Sequence, residues 1–148
     1  MNSPDALDAL TAHFAQHSCP ENYINRAHCC ECEEHYLELL DVPVECLTHE
    51  HTGDGAWDPT AFLTPDAFRY YLPGLARIAD SDREVWLELF VMRIGLHYTE
   101  TCNADDWHAI TALLEGWWCD ESVPEWTRHA LEGALDLSRR ELRDRKLR

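Results

Sequence analysis

The chain has 148 residues, of which 45% are hydrophobic and six are tryptophan, enough for one domain with a core of its own. That composition excludes wholesale disorder, and the length removes any need for a disulfide or a metal to hold the core together. The formal charge of −16 repels nucleic acid and anionic membrane and attracts basic protein surfaces, although acidity also serves plain solubility.

Helix signals recur along the chain, and strand signals are nearly absent. The opening stretch MNSPDALDALTAHFAQH has no basic n-region, apolar h-region or cleavage site, so no signal peptide is expected. Ser3 is the expected N-cap and Pro4 the first helical residue, with Leu7, Leu10 and Phe14 sharing one face. A second helix is predicted from about Ala27 to Leu40, with Cys29, Cys32 or Glu33, Tyr36 and Leu40 at helical spacing. Residues 41–60 hold two prolines and two glycines with little periodicity and read as a long loop. Thr64-Pro65-Asp66 opens the next helix, which is expected to kink or restart at Pro73, where the ring removes a backbone donor.

DREVWLELFVMRIGL is apolar at Val85, Trp86, Leu89, Phe90, Met92 and Ile94, wide enough for a central helix. Asn103 caps ADDWHAITALLEGWW, whose buried stripe is Trp107, Ile110, Leu113, Leu114 and Trp117. Ser122 or Pro124 starts a last helix carrying Trp126, Ala130, Leu131, Leu135 and Leu142, and its basic end RRELRDRKLR complements the helix dipole. The fold class predicted is an all-α, single-domain bundle of five to seven helices spanning residues 1–148. No apolar run approaches the roughly 20 residues of a membrane span. Seven cysteines, an odd count with near neighbours, suit a reducing compartment, so a cytoplasmic protein is expected.

HCCECEEHYLELLDVPVECLTHEH, residues 28–51, gathers four cysteines and four histidines. Cys29 and Cys32 form C-x-x-C, and Cys46 and His49 form C-x-x-H after thirteen intervening residues, a set that can close a tetrahedral zinc site. The competing reading takes these thiols as small core residues, because CCEC runs straight into a helical pattern. No thiol has a fixed histidine and oxyanion hole beside it, so no catalytic cysteine is expected.

The opposite face of the same helix carries Glu31, Glu34, Glu38 and Asp41 at steps of three, four and three, with no lysine or arginine to relieve their repulsion. Glu45, Glu50, Asp54 and Asp58 continue the negative surface, and Trp57 stands among them. Residues 1–74 have a charge balance of −11 and residues 75–148 a balance of −5. Phosphate-loop, dinucleotide, nucleophile-elbow and zinc-protease motifs are missing, and the basic tail has no interleaved aromatics. In AFRYYLPGL, Tyr70 or Tyr71 either packs in the core or contributes to a binding groove beside the proline.

CCECEEHYLELL, then FLTPDAFRYYLP, then WHAITALLEGW, together resemble a family of small uncharacterised acidic bacterial proteins with a cysteine-containing helix and a YYLP segment. The resemblance spans roughly residues 28–118 and departs from the pattern in lacking a tryptophan soon after the second helix, since Trp57 comes later. By analogy it implies an immunity protein, a partner that neutralises a bacterial toxin. The function expected is therefore an acidic cytoplasmic binding protein, not an enzyme, that occludes a basic protein partner and needs no cofactor. Its contact residues would be Glu31, Glu34, Glu38, Asp41, Glu50, Asp54, Trp57 and Asp58. The alternative is a zinc-binding module or metal-dependent hydrolase on Cys29, Cys32, Cys46 and His49.

Overall fold

Caps and prolines set the helix starts. The Asn103 side chain accepts the Asp106 backbone N–H at 3.0 Å, and the Asp106 carboxylate accepts the Asn103 N–H at 2.8 Å, a reciprocal capping box. Thr64 accepts the Ala67 N–H ahead of Pro65 in the same manner. The structure, a computed structural model, describes residues 3–25, 31–53 and 57–146. Among them are seven α-helices: α1 (Ser3–Phe14), α2 (Cys32–Glu38), α3 (His49–Thr52), α4 (Pro65–Ser81), α5 (Trp86–Ile94), α6 (Ala104–Trp118) and α7 (Glu125–Lys146). No strand occurs among the described residues, only an isolated antiparallel bridge between Ile24 and Leu63. The all-α bundle is as expected.

α1, α4, α5, α6 and α7 form the body: α6 lies between α1 and α7, α4 against α1 and α5, and α5 against α7. Trp107, Trp117, Phe68 and Leu10 are completely enclosed at its centre. Trp117 meets Phe90 edge to face at 5.5 Å, and its indole N–H donates to Asp80 at 2.8 Å. Asp80 Oδ1 also accepts from Ser3 and Arg83, so one carboxylate ties α1, α4 and α6 together. α2 and α3 both pack on a 3₁₀ turn at Pro59–Phe62, outside the body.

Several expectations change. Ser3 is inside α1 and is held through its hydroxyl, so it does not cap the helix from outside. α4 runs without interruption through Pro73, which is buried. The expected loop at 41–60 contains α3 and two short 3₁₀ turns, Val44–Cys46 and Pro59–Phe62. Val85 and Met92, apolar positions of the expected central helix, and Trp126 of the last helix are exposed, Trp126 to 62%. α2 is shorter than predicted, and its inward residues are Cys32, His35 and then Leu39, whereas Leu40 is 42% exposed. Cys32 is buried as expected, the next two inward positions fall one residue earlier, at His35 and Leu39 rather than Tyr36 and Leu40, and residues 26–30, including Cys29, lie outside the described residues.

Candidate functional site

Helical spacing divides α2 into two faces. Inward, the buried His35 ring stacks on Phe62 at 4.6 Å and leans against Trp57 at 4.3 Å. Outward, Glu34, Leu37 and Glu38 follow one another at i, i+3 and i+4, so the exposed Leu37 (57%) interrupts a row of carboxylates. Glu31, Glu34 and Asp41 are exposed and have no side-chain partner among the described residues. Glu38 does have one: both its oxygens lie 3.0 Å from the Trp57 indole nitrogen, which donates to them. Beyond α2 the chain reverses at Asp41, where φ is 57°, the left-handed region that aspartate tolerates better than most residues.

The remaining expected contact residues divide. Glu50 is exposed on α3, and Trp57 is half-buried. Asp58 is buried and is no part of an acidic surface. It forms an ion pair with Arg93 of α5 and accepts the Thr60 backbone N–H at 2.9 Å and the Thr60 hydroxyl at 2.6 Å. Arg93 also donates to the Thr60 hydroxyl at 2.7 Å, so the pair fastens the 57–62 segment to the body. Asp54 lies outside the described residues.

Of the proposed zinc ligands, Cys29 likewise lies outside the described residues. Cys32 is enclosed in the core, whereas Cys46 and His49 are exposed. Among the described residues no three or more cysteine, histidine, aspartate or glutamate side chains converge as a metal-binding group.

The YYLP segment supplies both a support and a wall. Tyr71, buried, donates to the Val42 carbonyl at 2.7 Å, Tyr70 accepts the Val44 N–H at 3.2 Å, and Arg77 donates to the Val44 carbonyl at 2.8 Å. Gly74 permits this approach, since a Cβ there would lie 2.9 Å from the Val44 oxygen. Between this braced segment and α2 opens a groove of about 520 Å³. Tyr23, Tyr36, Tyr70 and Tyr71 line it, with Glu21 and Asp41 as its carboxylates. Tyr23 and Tyr36 stack at 4.7 Å. Burial holds the Tyr71 hydroxyl far above its ordinary pKa, so it stays a neutral donor.

A second polar cluster lies where α1, α4 and α6 meet. Asp106, fully buried, pairs with Arg69 at 2.7 Å and His13 at 2.8 Å, while His17 Nε2 stands 3.8 Å away with no hydrogen-bond partner. The sequence reveals Asp106 as a capping residue but does not reveal these cross-helix partners. Burial, reinforced by the neighbouring Arg69 charge and opposed by Asp106, lowers the His17 pKa below its ordinary value of 6.5. A histidine depressed in the folded state takes up its proton more readily when unfolded. Its contribution is therefore intact above about pH 6.5 and is lost as pH falls through the lower folded value. Urea titrations between about pH 7.5 and 5 are expected to show stability falling with pH, with a shallower slope in His17→Gln. An equal slope in the variant would contradict this.

No family model matches the chain, and neither a curated protein nor a solved structure does so. No helix among the described residues is long and apolar enough to cross a membrane.

Proposed function

We propose that the protein binds and occludes a basic protein partner through α2 and the groove beside it, as an immunity protein occludes a toxin enzyme. The carrying observation is the row Glu31, Glu34 and Asp41, exposed and without partners among the described residues, with Leu37 and Leu40 exposed beside it. Among the described residues, four arginines are engaged elsewhere: Arg69 on Asp106, Arg93 on Asp58, Arg83 on Asp80 and Asp120, and Arg77 on Val44. An apolar centre rimmed by charge is the usual anatomy of a protein interface.

Magnitudes assign the two parts different tasks. An exposed ion pair contributes about 0–1 kcal/mol, whereas burying one leucine contributes about 1.5–3 kcal/mol. The carboxylates therefore steer encounter and the leucines and tyrosines prolong the complex.

Affinity capture from native lysate identifies the partner, and stopped-flow mixing with that purified partner tests the reading. The association rate is expected to fall about ten- to a thousandfold from low to high salt, and to fall at fixed low salt in Glu31→Lys/Glu34→Lys. A rate indifferent to both salt and charge reversal would overturn the steering mechanism. If the partner is a toxin, co-expression is expected to restore growth, and the leucine variant Leu37→Ser/Leu40→Ser is expected to dissociate faster.

A further inference from the structure

Deepening the reading just given, and resting on it for the identity of the partner, we infer that the groove between α2 and α4 receives a single arginine side chain of that partner. Three features select this occupant. The wall includes the half-buried Tyr36 and Tyr70, whose ring quadrupoles attract a cation lying within about 6 Å of the ring centroid. Glu21 and Asp41 contribute two carboxylates, and among the described residues neither has a side-chain partner and no lysine or arginine lines the groove to neutralise them.

Apolar surface from Leu40 and Pro43 continues along the wall, matching the methylene stem that carries a guanidinium. A planar guanidinium stacks on aromatic rings and presents five donors to carboxylates, which an ammonium does not. A neutral apolar side chain would leave both acids facing it without compensation. The groove also opens beside the exposed Leu40, so an arginine entering it belongs to the surface that covers α2.

The full chain, labelled with ¹⁵N, is titrated with the peptide acetyl-Gly-Arg-Gly-amide and followed by two-dimensional NMR. Saturable shifts at the Asp41, Val42 and Tyr70 amides are expected. The citrulline peptide, isosteric but neutral, is expected to produce none, and Glu21→Gln/Asp41→Asn is expected to weaken arginine binding about tenfold or more. Asparagine accepts the left-handed backbone at position 41 and Glu21 is exposed, so the variant retains the fold.

Equal shifts with citrulline, or no shifts with either peptide, would overturn the assignment. Tighter binding of choline than of the arginine peptide would also overturn it, making the groove a site for a small free cation. If the peptide fails while association with the purified partner keeps its salt dependence, the groove assignment alone is lost. If the peptide binds but partner association ignores salt, the steering mechanism alone is lost and the groove assignment stands.

Discussion

Asp58→Ala is expected to destabilise the protein by about 3–5 kcal/mol, because it leaves the guanidinium of Arg93 buried without its counter-charge. Removing one member of a buried pair costs far more than removing both. The double variant Asp58→Ala/Arg93→Met replaces the cation with an apolar chain of similar length and is expected to regain much of the loss. Urea unfolding of the wild type, the two single variants and the double variant completes a double-mutant cycle. Additive losses would show that the pair does not act as a unit. The same substitution removes the acceptor for Thr60, so it loosens the turn on which both α2 and α3 rest. On the proposed reading, partner binding should weaken as well, through displacement of the acidic row.

Asp106→Ala is expected to have an effect of similar size, about 3–5 kcal/mol, for a related reason. It strands Arg69, deprives His13 of its acceptor and removes half of the capping box of α6. Cap and charge can be separated experimentally. Asp106→Asn retains an oxygen to receive the Asn103 N–H while abolishing the charge, so most of its loss reports the Arg69 pair. The cap contributes about 1 kcal/mol of the total. Chemical denaturation of both variants measures the difference, and indistinguishable losses for Asn and Ala would assign the whole effect to the ion pair.

The body of the fold was legible because its signals are local. Thr64-Pro65 and Asn103 are caps that act within one turn of helix, and the stripe from Trp107 to Trp117 keeps its period over the length of α6. α2 was read less well. Its inward face includes His35, a polar residue whose burial depends on Phe62 and Trp57, rings brought to it from a separate segment. Helical spacing of the apolar residues runs through Tyr36 and Leu40, whereas His35 and Leu39 are the enclosed residues.

Asp58 presented the converse difficulty. It stands in an acidic stretch of sequence, and nothing nearby announces that an arginine from α5 covers it. The partners of Asp106 were hidden for the same reason, His13 lying 93 positions away. The exposure of Glu34 and Glu38 on α2 follows from helical spacing, whereas Asp41 lies past the end of the helix, where spacing no longer places it. The groove was only half foreseeable, because Tyr70 and Tyr71 were singled out but Glu21, Tyr23 and Tyr36 come from elements that sequence gives no reason to place opposite them.

The placement of α2 on a short turn, apart from the five longer helices, divides the molecule into a durable frame and an outer veneer. Substitutions on the outward side of that veneer, where Glu34 and Leu37 are exposed, are expected to leave the melting behaviour nearly unchanged. On the proposed reading, contact residues there can be exchanged over many generations without endangering the scaffold that carries them.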